Sequence, residues 1–127
     1  MNREQKYTVS HKTKDHNEIL IRTFEGEISI KQIIKTIEKD LRDGLISSNQ
    51  KGVINDYISC EIIGNPEDIE GFAILFDKHI NLFKNLKWAL VINSPMVAFA
   101  MLFNKRHPIY KVKTFNTIDS AISWAKY

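Results

Sequence analysis

Apolar and polar residues follow two different periods along this chain, and the period changes from segment to segment. Alternation at residues 7–11 and 18–24 predicts two strands, with a hairpin turn in the polar residues 12–17 between them. The segment Glu25-Gly26-Glu27 is predicted to end the second strand. Apolar segments at residues 52–58 and 87–93 predict two further strands, and residues 110–115 predict a third, amphipathic strand with its lysines outward.

Helical spacing appears in four segments that alternate with these strands. The first helix begins at Ser29, which has Gln32 three residues later in capping-box spacing, and Gly44 suits the left-handed position at its end. Asn65 and Pro66 begin the second helix, because Asn caps a first turn and Pro fits within it. The three later helices are predicted at residues 66–80, at residues 95–105 and from a cap at Thr117 onward.

The order β-β-α-β-α-β-α-β-α predicts an α/β domain. Strands that alternate with helices favour parallel pairing through right-handed crossovers, so we expect a mixed, mostly parallel five-stranded sheet flanked by four helices. Residues 87–93 are apolar on both faces, which is typical of an interior parallel strand. The 127 residues fit one domain, 1–127, in which residues 1–6 are expected to be disordered.

Composition and charge exclude several classes of protein. Hydrophobic residues make up 43% of the chain and charged residues 26%, as in soluble globular proteins. The longest apolar run, 96–103, is too short to span a bilayer, so we expect a cytoplasmic protein without stable membrane insertion. The excess of 18 Lys and Arg over 15 Asp and Glu is small. The basic residues at 105–113 fit the solvated edge of a sheet, so no nucleic-acid partner is expected.

Catalytic and metal-binding constellations are missing from the sequence. Ser94 lies between a strand and a helix without the flanking glycines of a hydrolase nucleophile elbow, and we interpret it as a helix cap. Asn65 and Ser94 are weak candidates for an anion site at a helix N-terminus. The four histidines lack metal spacing, and Cys60 has no second thiol nearby. We therefore expect no metal, no cofactor and no enzymatic activity.

Four segments resemble the SpoIIAA-like family of STAS domains, small bacterial α/β proteins related in fold to anti-sigma-factor antagonists. They are FEGEIS at residues 24–29, GVINDYI at 52–58, VINSPMVAFAMLF at 91–103 and VKTFNTIDSAISWA at 112–125. The resemblance implies a SpoIIAA-like fold over residues 7–127. It also implies a regulatory role exerted through protein contacts.

Regulatory members of that family carry a phosphorylatable serine where the helix after the third strand begins. The corresponding residues here are Gly64, Asn65, Pro66 and Glu67, and none of them has a hydroxyl group. The resemblance therefore implies a module without the usual phosphoacceptor serine. Ser59 lies nearby, in the loop predicted before this helix.

The predicted helix 95–105 differs from an ordinary surface helix. Residues 96–103 are apolar around the whole circumference, whereas a helix that rests on a sheet needs an apolar stripe on one side only. The remaining surface must meet another helix, a second subunit or a small apolar ligand. The candidate ligand or interface residues are Phe72, Phe76, Met96, Phe99, Met101 and Phe103.

Two functions remain open from the sequence. One is a non-enzymatic regulatory or protein-interaction module that forms a homodimer or binds another protein through helix 95–105 and the neighbouring helix 66–80. The alternative is a carrier or sensor of a small nonpolar, lipid-like ligand bound between helices and sheet. The second follows from the resemblance, because the family fold is similar to that of CRAL-TRIO lipid-binding domains.

Overall fold

The computed structural model describes residues 6–93 and 96–127. The strands are β1 (Tyr7–Lys14), β2 (Ile19–Ser29), β3 (Gly52–Ile63), β4 (Lys87–Val91) and β5 (Lys111–Phe115). The α-helices are α1 (Ile30–Arg42), α2 (Glu70–Lys78), α3 (Ile80–Phe83), α4 (Val97–Arg106) and α5 (Ile118–Lys126), and a 3₁₀ helix at Pro66–Ile69 precedes α2. Apart from the short α3, the order of elements is the predicted one.

The five strands form one sheet in the order β1-β2-β3-β4-β5. Strand β1 pairs with β2 in antiparallel fashion, and the remaining neighbours are parallel. The prediction of a mixed, mostly parallel five-stranded sheet is therefore confirmed. Strand β4 lies between two parallel neighbours, as the apolar run at residues 87–93 predicts.

The sheet separates two hydrophobic cores of unequal size. Because successive parallel strands are neighbours, crossovers of one hand place their connecting helices on the same face. Helices α1, α2 and α4 accordingly pack on one side, here called the three-helix face, around Phe24, Val53 and Trp88. Helix α5 follows the last strand and covers Ile54 and Ala89 on the opposite face.

The hairpin turn is shorter than predicted. Strand β1 continues to Lys14, so the turn consists of residues 15–18, and Asp15, His16 and Asn17 have left-handed backbone at φ 53°, 57° and 71°. Asp, Asn and His adopt this region more readily than other non-glycine residues. The prediction of disorder for residues 1–6 falls on residues outside the described ones except at Lys6, whose carbonyl accepts a hydrogen bond from the Glu27 N–H.

Strands β2 and β3 both run farther than predicted. The segment 25–27 does not end β2, because Gly26 has φ 97° and lets the Lys6 carbonyl oxygen approach to 2.1 Å from where a Cβ would stand. Strand β3 continues to Ile63 beside this extension, with Ser59 opposite Glu25. The prediction that Ser59 lies in a loop is therefore wrong.

The helix predicted at 66–80 is interrupted. It starts as the 3₁₀ helix, becomes α2 and breaks at His79, whose backbone is not helical at φ −125° and ψ 42°. Helix α4 is confirmed, with its first helical residue at Val97. The caps of α1 and α5 are also confirmed. Ser29 and Gln32 form the reciprocal capping box, and Thr117 accepts from the Ser120 N–H.

A charged side chain lies inside the larger core. Arg22 of β2 has no accessible surface, and its Nε donates to the Asp40 carboxylate at 2.8 Å. Its Nη1 and Nη2 donate to Asn55 Oδ1 and Thr36 Oγ1, each at 2.6 Å. Asp40 also hydrogen-bonds His11 Nε2 at 2.9 Å. These hydrogen bonds connect α1 to β1, β2 and β3.

Candidate functional site

An apolar cavity of about 70 Å³ lies on the three-helix face, near the carboxyl ends of the parallel strands. The cavity extends from Tyr57 and Trp88 on the sheet to Phe72 on α2 and Phe99 on α4. No charged side chain of the described residues lines it.

Four of the six predicted candidates meet at this cavity. Phe72, Met96, Phe99 and Phe103 all line it, although α2 and α4 are separated by α3 and β4 in the sequence. Phe72, Met96 and Phe99 are half-buried, and Phe103 is buried. The candidates were chosen from helical periodicity, and tertiary packing brings this subset together.

Phe76 is a core residue and does not line the cavity. It is 1% exposed and stacks on Phe83 with ring centroids 4.0 Å apart. The rings of Trp88, Phe103 and Tyr110 surround it in edge-on contacts at 5.6, 5.8 and 5.2 Å. Edge-to-face contacts of this kind are favourable because the ring edge and ring face carry opposite partial charges. Phe76 therefore holds α2 onto α3, α4 and the sheet.

The outer surface of α4 presents a smaller apolar area than the sequence suggests. Met101 is 65% exposed and Ala98 is also exposed, whereas Ala100 and Phe103 are buried. Leu102 is half-buried. Much of the circumference of α4 thus packs within the domain, and Met101 with Ala98 forms what we call the α4 outer face. Neither residue contacts the cavity.

Polar contacts join α2 to α4 beside the cavity. Glu70 accepts from Arg106 Nη1 at 2.9 Å and pairs with His107 Nε2 at 3.1 Å, and we call this set the α2–α4 clamp. These hydrogen bonds, from Arg106 first and then His107, lower the pKa of the Glu70 carboxyl. Nearby, the Tyr110 hydroxyl donates to Asp77, and burial together with this carboxylate raises the pKa of Tyr110 to about 12.

Tyr57 is the residue of this site that sequence reasoning missed. It is 5% exposed, its ring packs 4.6 Å from that of Phe24, and burial raises the pKa of its hydroxyl. Alternation within GVINDYI places Tyr57 on the same face as Val53 and Asn55, which is the only signal the sequence offers. That signal shows the direction of the side chain but gives no indication of a cavity.

Of the two predicted anion sites, at Asn65 and Ser94, the structure describes only the first. Ser94 lies outside the described residues. The backbone N–H of Asn65 donates to the Asp68 carboxylate at 3.2 Å, so a negative charge already occupies this helix start. An anion at Asn65 stays a prediction, and the adjacent Asp68 and Glu67 disfavour it by like-charge repulsion.

Neither a metal site nor an activated cysteine is indicated in the part of the chain that the structure describes. Across residues 6–93 and 96–127, no three His, Cys, Asp or Glu side chains are grouped so that they could hold a metal ion. Burial raises the pKa of the Cys60 thiol, which disfavours the reactive thiolate. No helix in these residues has the length and apolar character required to cross a bilayer.

Comparison with known proteins finds similarity in structure alone. No protein-family model matches the sequence, and no curated protein matches it. An anti-sigma factor antagonist from Mycobacterium paratuberculosis superimposes with a TM-score of 0.56 at 17% identity, over 94% of this chain and 96% of that one. The anti-sigma factor antagonist SpoIIAA in its unphosphorylated form gives 0.54 at 13% identity, over 94% and 98%.

A third solved structure has no assigned function. It is an uncharacterised DUF3478-family protein with a SpoIIAA-like fold from Shewanella loihica, with a TM-score of 0.58 at 14% identity over 98% of both chains. These superpositions cover nearly the whole chain, so the SpoIIAA-like fold predicted from the sequence is confirmed. At such low identity the likeness establishes the fold alone.

Proposed function

We propose that this SpoIIAA-like chain is a non-enzymatic regulatory module that acts by binding protein. The fold is the observation that carries the proposal, since two of the similar structures are anti-sigma factor antagonists and match nearly end to end.

The α4 outer face is the surface we assign to this contact, with a second copy of the chain as the partner. Met101 has greater exposure than any other apolar side chain within an α-helix of the described residues, and its flexible thioether adapts to varied surfaces. Ala98 beside it is small enough for close approach of a second helix. On α2, Ile74 is a second exposed apolar residue, at 62%.

Regulation by serine phosphorylation at the start of the helix after β3 is not part of this proposal. The segment Gly64-Asn65-Pro66-Glu67 offers no hydroxyl group, and the Asp68 carboxylate lies against the Asn65 N–H. A phosphate at this point would meet like charge.

Light scattering of the purified chain at micromolar concentration tests the contact. We expect a dimer that Met101→Glu converts to a monomer, because a carboxylate buried without a partner at the interface is strongly unfavourable. Leu45→Glu is the matched control, since Leu45 is an exposed apolar residue in the turn after α1. A wild-type monomer, or equal dissociation in both variants, would contradict the assignment to α4.

A second candidate function is favoured by the cavity between helices and sheet. Its lining is apolar, and its volume of about 70 Å³ exceeds the roughly 10–15 Å³ that a single water requires. Water in such a space finds few hydrogen-bond partners, so an apolar guest is preferred. This candidate is a carrier or sensor of a small nonpolar molecule.

A further inference from the structure

We propose that the cavity binds an uncharged, mainly apolar molecule that carries one hydroxyl or carbonyl group, recognised by Tyr57. This inference rests on the second candidate function and specifies its ligand. It follows from the Tyr57 hydroxyl, which with the Trp88 indole N–H is one of two hydrogen-bonding side-chain groups among the lining residues, and from the lack of any charged side chain there among the described residues.

The Tyr57 hydroxyl is an unused hydrogen-bonding group at the base of the cavity. No hydrogen bond to it occurs within residues 6–93 and 96–127, although Tyr57 is 5% exposed. Wholly enclosed polar side-chain atoms in these residues all have partners. The hydroxyl must therefore touch open space, and the space that Tyr57 lines is the cavity. Buried tyrosines usually find a partner for this group, so a ligand atom is expected to supply one.

The electrostatics of the wall select against a charged ligand. A carboxylate moved into an apolar site without a counter-ion pays a large desolvation cost. Arg22 lies close to this region, but its three guanidinium nitrogens already donate to Asp40, Asn55 and Thr36. A tyrosine hydroxyl is protonated at neutral pH, and burial raises the pKa of Tyr57 further. It can thus donate to a neutral oxygen or accept from a hydroxyl group.

The helix side of the cavity wall includes Phe72 of α2 and Phe99 of α4, and both are half-buried. The α2–α4 clamp joins the start of α2 to the end of α4 through Glu70 and the pair Arg106 and His107. The cavity is apolar and open to solvent on one side, and its volume of about 70 Å³ is about half of the roughly 150 Å³ that encloses a benzene molecule, so a single-ring or short-chain molecule enters it in part, with its remainder in solvent. Ligand sites commonly combine such a lining with a few polar groups that fix orientation.

Toluene, benzyl alcohol and benzoate are matched probes for this site. Binding isotherms come from backbone amide chemical shifts in NMR spectra of the full chain. We expect toluene and benzyl alcohol to shift the amides of the cavity wall in a saturable manner, and benzoate to produce no such shift. In Tyr57→Phe, benzyl alcohol binding should weaken roughly two- to tenfold, the effect of one hydrogen bond, while toluene binding is retained.

Two filling variants locate the site. Ala100→Leu adds bulk to the cavity wall and should abolish binding of both probes, whereas Ala98→Leu makes the same change on the exposed side of α4 and should leave binding intact. Val112→Leu, which also lines the cavity, replaces Ala100→Leu if circular dichroism shows that variant unfolded. If a folded Ala100→Leu or Val112→Leu variant binds the probes as tightly as the wild type does, the cavity is not the binding site.

These results distinguish a failure of the second candidate function from a failure of the ligand class assigned to it. If wild-type protein binds neither toluene nor benzyl alcohol, both the second candidate function and this inference fail. If toluene binds and Tyr57→Phe leaves the ratio of benzyl alcohol to toluene affinity unchanged, the cavity is a ligand site and only the assigned ligand class is wrong. Binding of benzoate as tightly as benzyl alcohol would also overturn that class.

Discussion

Arg22 illustrates how a single residue can organise one face of a sheet. Its guanidinium lies between the rings of Phe24 and Trp88, 5.0 and 5.8 Å from their centroids, and all its nitrogens are hydrogen-bonded. Burial of such a charge is tolerated only where a counter-ion and further hydrogen bonds accompany it. Asp40 is that counter-ion, and it is 3% exposed.

We predict that Asp40→Ala strongly destabilises the domain. Loss of one partner from a buried pair leaves an uncompensated charge, which costs about 3–5 kcal/mol in the free energy of unfolding. His11→Ala is the matched control, because it removes the outer hydrogen bond to Asp40 and leaves the Arg22 pair in place. Urea denaturation measures both. Equal, small losses in the two variants would contradict a central role for the buried pair.

At the scale of elements, helices α2 and α4 depend on each other through aromatic packing and the α2–α4 clamp. The clamp lies on the surface, since the Glu70 and Arg106 side chains are 41% and 52% exposed. Its carboxylate nevertheless has a pKa lowered by two hydrogen bonds, of which the one from Arg106 is the larger effect. A group of this kind makes stability depend on pH.

We predict that Glu70→Gln makes the thermal stability of the domain less dependent on pH in the acid range. The folded-state pKa of Glu70 lies below its ordinary 4.5, so the carboxylate stabilises the fold above that pH. This contribution is lost as pH falls through the lower folded-state pKa. Thermal unfolding in steps from about pH 6 to pH 3 should show a smaller loss in Glu70→Gln than in the wild type. In Glu67→Gln, an exposed residue near the same helix start, the acid limb should keep its wild-type slope.

For the whole molecule, the second core depends on close docking of α5 against the sheet. A Cβ at Gly52, the first residue of β3, would stand 2.7 Å from the Ala125 Cβ and 3.2 Å from the Lys87 carbonyl oxygen. Lys87 in turn donates to the Trp124 carbonyl at 2.9 Å and lies over its ring. Small residues on both sides therefore let the end of α5 reach the sheet.

We predict that Gly52→Ala destabilises the domain by about 1–3 kcal/mol, the usual cost of forcing an extra methyl group into a packed contact. Ala125→Gly in the same chain should recover part of this loss, because it removes the atom that the new Cβ meets first. A double-mutant cycle by urea denaturation measures the coupling. Strictly additive effects of the two substitutions would show that the contact with α5 does not limit position 52.

The sequence by itself determined the element order, the parallel sheet and the caps at Ser29 and Thr117. These properties depend on local periodicity and on side chains within a few residues of each other, which a linear chain displays directly. The ends of β2 and β3 were predicted too early, because their pairing partners lie elsewhere in the chain. Gly26 signals a turn locally, yet it continues a strand beside Lys6.

Only the tertiary structure decided which apolar side chains face solvent, a cavity or the core. Phe76, Phe99 and Met101 are all large apolar residues of predicted helices. Packing places Phe76 in the core, Phe99 at the cavity and Met101 in solvent. The burial of Arg22 and the unpaired hydroxyl of Tyr57 likewise arise from residues distant in sequence. Such contacts depend on how helices and strands assemble in three dimensions, and no local pattern encodes them.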